Sequence, residues 1–234
     1  MAVNINSVYQ KVLTLLNKEQ RGYLTPQEFN LLADRAQNEM YENYFHQARN
    51  SNAKIKDDDT HTDTLEIIES KLSPFFTTDT NTNVSSGVMT IPSNVYKLDI
   101  ITVANKLATE INKKEEHFIT SLGETGTVLY PTSNRPVFTR LTSTTVRITP
   151  SPTNGTSCIV SYYKEPTAPS WGYVVVNEKA LYNINTSVNF ELDKSEEEPL
   201  VSKILMLSGV ITKQQDIGQV GANAITMTNQ EQNS

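Results

Sequence analysis

The chain is poor in the residue types that carry most recognisable chemistry. One cysteine, Cys158, occurs in 234 residues, which excludes an intrachain disulfide framework or a multi-cysteine metal cage and points to a reducing compartment. The three histidines, His46, His61 and His117, lie far apart, so no metal ligand set of three or four converging side chains is expected. No run approaches the roughly 18 consecutive apolar residues of a membrane span. Residues 1–6 have neither a basic nor an apolar region, so no secretion signal is expected. There is no glycine-rich phosphate loop, no Gly-x-Ser-x-Gly elbow and no dinucleotide fingerprint. Asp57-x-Asp59-x-His61 hints at a calcium loop, but Thr62 stands where glycine belongs and Ile68 where glutamate belongs. Basic residues are also in the minority. Lys and Arg number 20 against 26 Asp and Glu, a net charge of −6, which argues against nonspecific nucleic-acid binding through a basic face.

What the chain does contain is uncharged and polar. Apolar residues make up 37% and charged residues 20%, both lower than usual, and Thr, Ser and Asn fill the difference. Such a composition argues against one core filling the whole chain and suits β-rich surfaces that meet neighbours.

The first third has helical periodicity. Ser7 with Gln10 forms a candidate capping box, followed by an apolar stripe at Val8, Val12, Leu15 and Leu16. Gly22 is the expected stop. Thr25, Pro26 and Glu28 form a second start, with Phe29, Leu32, Ala33, Ala36, Met40 and Tyr44 on one face to about Asn50. Residues 50–63 are expected as an exposed loop, and 64–72 as a short helix stopped by Pro74. The middle is β: strands are expected over 87–92, 95–103, 137–141, 145–148 and 158–163, the last three as a meander, with a short helix over 113–121. A short strand pair is expected within 166–185. Ser195 is the expected cap of a last helix carrying Leu200, Ile204, Leu205, Leu207, Ser208 and Ile211, and the run Glu196–Glu198 is expected on its solvated face. The fold class is therefore α+β: an N-terminal helical hairpin, an antiparallel β-sandwich-like domain and a C-terminal helix. The expected divisions are a helical region over 1–75, a β-domain over 84–193, and a helix with a flexible tail over 194–234.

No residue set advertises catalysis. Cys158 falls inside an expected strand and reads as a small buried hydrophobe. Tyr162, Tyr163, Trp171 and Tyr173 cluster around two prolines. They fit either a core edge under a loop or an interface, where Tyr and Trp combine an apolar body with a polar tip. On the second reading the module would bind carbohydrate or a receptor through these rings.

The order of segments resembles a family. Lys18-Glu19-Gln20-Arg21-Gly22-Tyr23-Leu24-Thr25-Pro26-Gln27-Glu28-Phe29-Asn30 resembles a segment near the N-terminus of structural proteins of short-tailed phages, including the crAss-like group. Ile91-Pro92-Ser93-Asn94-Val95-Tyr96-Lys97-Leu98, Arg135-Pro136-Val137-Phe138 and the Val146–Pro150 strand end follow in the same order. Ser161-Tyr162-Tyr163-Lys164-Glu165-Pro166, Pro169-Ser170-Trp171 and Phe190-Glu191-Leu192 complete the set. The likeness covers most of residues 5–215 and points to head-to-tail connector proteins, also called adaptor, ring or tail tubular proteins. It implies a non-enzymatic virion component assembled in the host cytoplasm. This would be a homo-oligomeric ring, usually a dodecamer, between the portal protein and further tail or ring proteins. DNA would pass through its lumen without sequence-specific binding, and no cofactor, metal or membrane is implied. Termini in this family reach to neighbours, so Ile211, Ile217, Val220, Ile225 and Met227 are the expected portal-docking residues. The neutral tail after Gly221 departs from the pattern.

Overall fold

The structure, a computed structural model, describes residues 2–18, 24–54, 60–81, 84–122 and 130–211. In chain order the helices are α1 (Ile5–Lys18), α2 (Pro26–Lys54), α3 (Thr60–Leu72), α4 (Lys113–Leu122) and α5 (Glu197–Ile211). The strands are β1 (Phe76–Asn81), β2 (Val84–Ser85), β3 (Val88–Thr90), β4 (Val95–Val103), β5 (Lys106–Glu110), β6 (Val137–Arg140), β7 (Thr145–Thr149), β8 (Cys158–Lys164), β9 (Tyr173–Val176) and β10 (Lys179–Tyr182). The fold is α+β. It divides into one unit made of 1–74 with 166–234, and a second made of 75–165.

In the first unit the N-terminal and C-terminal helices share a core. α1 buries Ile5, Val8, Tyr9, Val12 and Leu16, whereas Leu15 is 43% exposed. At 100° per residue Leu15 flanks this stripe, and the stripe is completed by Ile5 and Tyr9 instead. Asn4, not Ser7, caps the helix: its Oδ1 accepts from the amides of Asn6 (2.9 Å) and Ser7 (3.1 Å). The Ser7 hydroxyl instead donates to Glu197 Oε1 at 2.7 Å. α2 begins as expected, on a reciprocal box in which the Thr25 amide donates to Glu28 Oε2 (2.9 Å) and the Glu28 amide to Thr25 Oγ1 (3.3 Å). It packs on α3 and α5, and it meets α1 through a Tyr9–Phe29 edge-to-face ring contact at 4.8 Å. The expected 50–63 loop is helical at both ends, since α2 continues to Lys54 and α3 begins at Thr60; its polar residues extend helices instead of breaking them. Gly22 and Asp57–Asp59 lie outside the described residues.

The second unit is a single eight-stranded sheet in the order β1-β8-β4-β5-β6-β7-β3-β2. All neighbours are antiparallel except the parallel β5–β6 pair. That pair joins two four-stranded halves, and Val84, Met89, Ile101, Phe138, Val146, Ile148 and Val160 from both halves meet in one core. The sheet therefore curls over its own apolar face, a one-sheet form of the sandwich. The expected meander stops after two strands. β6 pairs with β7, but the Pro150–Gly155 turn leads away from β7, and β8 pairs between β1 and β4. β8 is the more buried choice: Cys158, Val160 and Tyr162 all point into the core. Residues 166–193, expected within the β-domain, belong to the helical unit. The strand expected to end with 193 is replaced by a loop, a hairpin and a turn packed on α1 and α2.

Candidate functional site

The loop 166–193 is held to the helices by buried side-chain amides. Gln37 on α2 is fully buried; its Nε2 donates to the Thr167 carbonyl (2.9 Å) and its Oε1 accepts from the Glu191 amide (3.0 Å). Asn30, two turns earlier, accepts from the Trp171 amide at 2.8 Å through Oδ1 and donates back to the Trp171 carbonyl at 3.4 Å. Asn189 Oδ1 accepts from the Ile5 amide at 3.0 Å. The amides thus do for this irregular segment what a ladder does for a strand.

Trp171 is the pivot. It is 2% exposed, packed against Tyr9 (ring centroids 4.2 Å apart), Tyr173 and Tyr182, with Nε1 donating to Asn6 Oδ1 at 3.1 Å. Gly172 follows because there is no room for a side chain: a Cβ there would lie 2.7 Å from the Thr186 carbonyl carbon. Two of the four expected interface aromatics therefore sit in cores, Trp171 in the helical unit and Tyr162, 4% exposed, in the β unit. Tyr163 packs on Phe76 at 5.3 Å, and Tyr173 on Trp171. The four do not form one platform, and Trp171 offers no open face on which a sugar ring could stack. Of the expected portal-docking residues, Ile217, Val220, Ile225 and Met227 lie outside the described residues; Ile211 closes α5, and its side chain lies outside them too.

From the Trp171 base rises the β9–β10 hairpin. Its turn, Asn177-Glu178, has φ of 50° and 63°, the type I′ geometry that matches strand twist. Val174, Val175 and Val176 are 50%, 63% and 47% exposed, and Leu181 is 52% exposed. Consecutive valines alternate sides, so neither face is covered beyond the base. The outer face of the β1-β8-β4-β5 half is also weakly polar. In register across it lie Thr78, Ser161 and Ile100, then Thr80, Ile159, Thr102 and Leu107, without a charge.

The ionic contacts are structural ties within the helical unit. Lys71 Nζ pairs with Glu196 Oε1 at 2.9 Å, both nearly buried, and lies 5.8 Å from the centre of the Tyr44 ring. Burial, reinforced by the Glu196 charge, pushes the Tyr44 phenol up and keeps it neutral. Glu196 is thus not on a solvated face, because the chain enters α5 through a 3₁₀ turn capped by Asp193, whose Oδ1 accepts from the Ser195 amide at 3.0 Å. Hydrogen bonds from Ser7 and Lys11 hold the Glu197 carboxyl below the ordinary range. Lys203 bonds Glu39 at 2.6 Å, and Arg35 bonds it at 2.8 Å. A hollow of about 420 Å³ beside this network is lined by Glu66, Ile67, Ser70, Lys71, Asp193 and Ser195, but its one cation is already committed to Glu196. Burial raises the Cys158 thiol and keeps it protonated. Among the described residues no group of three or more His, Cys, Asp or Glu could hold a metal, and no helix is long and apolar enough to cross a membrane.

Sequence reasoning missed Asn30, Gln37 and Asn189, because a polar residue on a helix or in a loop gives no sign of which distant backbone group it will satisfy. It also missed the exposure of Val174–Val176, since a valine run reads as core. What the arrangement offers chemically is apolar surface and an unpaired strand edge on a rigid base. No family model matches the chain, and no curated protein matches it.

Proposed function

We propose that this chain is a structural, non-enzymatic subunit of a short-tailed phage virion, forming an oligomeric ring that joins the portal to the tail and extends the DNA channel. The observation that carries the reading is the ordered resemblance running from Lys18–Asn30 through Ile91–Leu98 and Arg135–Phe138 to Phe190–Leu192. Ring subunits meet identical copies through two different surfaces, one on each side. The open hairpin, the uncharged sheet face and the free edge of β1 are surfaces of that kind. The net charge of −6 suits a conduit, because an acidic wall repels phosphate and lets DNA slide.

Negative-stain imaging of the purified protein, alone and mixed with its portal, tests this. Rings, of about twelve subunits, that stack on the portal are expected. A monomer that ignores the portal, or a virion map placing the protein off the axial channel, overturns the reading. A lumen lined by Lys and Arg overturns the acidic-wall part alone.

A further inference from the structure

We propose that the open edge of β9 receives the carboxy-terminal segment of the same chain, residues 222–229, as a third strand of the hairpin sheet. This goes beyond the connector reading and does not depend on it.

The receiving edge is unusual. In a two-residue hairpin Val176 and Lys179 exchange hydrogen bonds, as do Val174 and Leu181 two residues on, so the backbone N–H and C=O groups of Tyr173 and Val175 point away from β10. The β10 edge begins with Lys179, a charge of the kind that guards edges; β9, Tyr-Val-Val-Val, has no charge and no proline. A lone two-stranded hairpin is marginal in water and needs a third strand or a helix on its face. Nothing among the described residues supplies either: the sheet is two strands, with Val174, Val176 and Leu181 open on one face.

The size of the patch favours an extended segment over a folded partner. The four half-exposed side chains of the hairpin leave roughly 200 Å² of apolar area to cover, whereas a stable contact between folded proteins takes about 800 Å² from each. A single added strand matches the smaller figure.

The chain supplies such a segment at the right end of the unit. Lys71 bridges Glu196 to the Tyr44 ring, and Lys203 pairs with Glu39. α5 therefore runs antiparallel to α2, toward the Asn30 end that holds Trp171 at the hairpin base. Lys203 to Ile211 and Glu39 to Leu31 are equal steps of about 12 Å, so α5 finishes beside the first turns of α2. From Ile211 to Ala222 the chain can span up to about 36 Å, ample for the distance left. Residues 222–229, Ala-Asn-Ala-Ile-Thr-Met-Thr-Asn, contain no charge, proline or glycine. Ile225 and Met227, two apart, fall on one face of a strand, where they would cover Val174 and Val176.

The test compares amide hydrogen exchange in the full chain, in a chain ending at 221, and in Thr226→Pro, which removes a ladder donor at the centre of the added strand. Trp171 fluorescence checks that the helical unit stays folded in each. The Val175 amide is expected to exchange at least tenfold faster in both variants than in the full chain, with Thr226→Val unchanged. In a Cys158→Ser background, Val175→Cys with Thr226→Cys is expected to form a disulfide within single chains. Equal exchange in all forms overturns the proposal. So does a disulfide found only between chains, or a segment required for portal attachment with no effect at Val175.

Discussion

Gln37 is the residue whose replacement tests the architecture of the helical unit most directly. Its side chain is fully buried and satisfies two backbone groups of the returning loop, the Thr167 carbonyl and the Glu191 amide. Gln37→Leu keeps the size and removes both partners. Each backbone group left without a bond costs about 1–3 kcal/mol. Thr167 and Glu191 lie partly at the surface, so the lower half of that range applies to each and the sum is about 2–4 kcal/mol. With a urea dependence of roughly 2 kcal/mol per molar for a unit of this size, the midpoint should fall by about 1–2 M. The assay is specific, because the only tryptophan, Trp171, is buried in this same unit and its fluorescence reports that unit alone. Gln37→Glu sharpens the test. Its carboxylate can still accept from the Glu191 amide but has no proton for the Thr167 carbonyl, and burial raises its pKa above the usual carboxylate range. A raised folded-state pKa penalises the fold at neutral pH and relieves it as pH falls through that value. Gln37→Glu should therefore become more stable between about pH 7 and pH 5, where the parent protein gains nothing. A midpoint shift below about 0.3 M in Gln37→Leu, or no pH rescue in Gln37→Glu, would refute the idea that this amide fastens the loop.

Lys71→Ala leaves Glu196 buried without its partner and should destabilise the helical unit by about 3–5 kcal/mol, whereas Lys71→Met with Glu196→Leu should recover most of the loss in the same urea assay. Because Ser7 and Lys11 hold the Glu197 carboxyl low, its contribution is fully present above the ordinary value of 4.5 and is lost as pH falls below it. An acid titration of Glu197→Gln should accordingly show a shallower loss of stability below about pH 4.5 than the parent, and an identical titration curve would contradict the assignment. Residues 75–165 expressed alone should fold, since they contain their own core; a disordered circular dichroism spectrum would count against the division into two units.

Much of the fold was legible where local chemistry and periodicity agree. The Thr25–Glu28 box, β4 over Val95–Val103 and α4 all occur where spacing and capping put them. The failures share a cause. β1, Phe-Thr-Thr-Asp-Thr-Asn, has no alternating apolar pattern, because as an edge strand it gains its order from backbone pairing with β8. The β4–β5 hairpin turns on Ala104 and Asn105 at φ of 48° and 62°, without the glycine that normally flags such a turn. β8 was placed beside β7 because neighbours in sequence usually pair; its true partners are fixed by burial of Cys158, Val160 and Tyr162 in a core the sequence does not display. The aromatic cluster divided between two units for the same reason: four rings within twelve positions look adjacent until the chain changes unit at Pro166.

That change of unit has a consequence for how the polypeptide is made. The β unit is an insertion whose first and last strands lie side by side, with Phe76 opposite Tyr163. On the ribosome its 91 residues, 75–165, are complete before the outer unit has received Gln37's partners or α5. The inner unit can thus close first, drawing residues 74 and 166 together. The outer helices, translated earliest, must wait for the last part of the message to find their core.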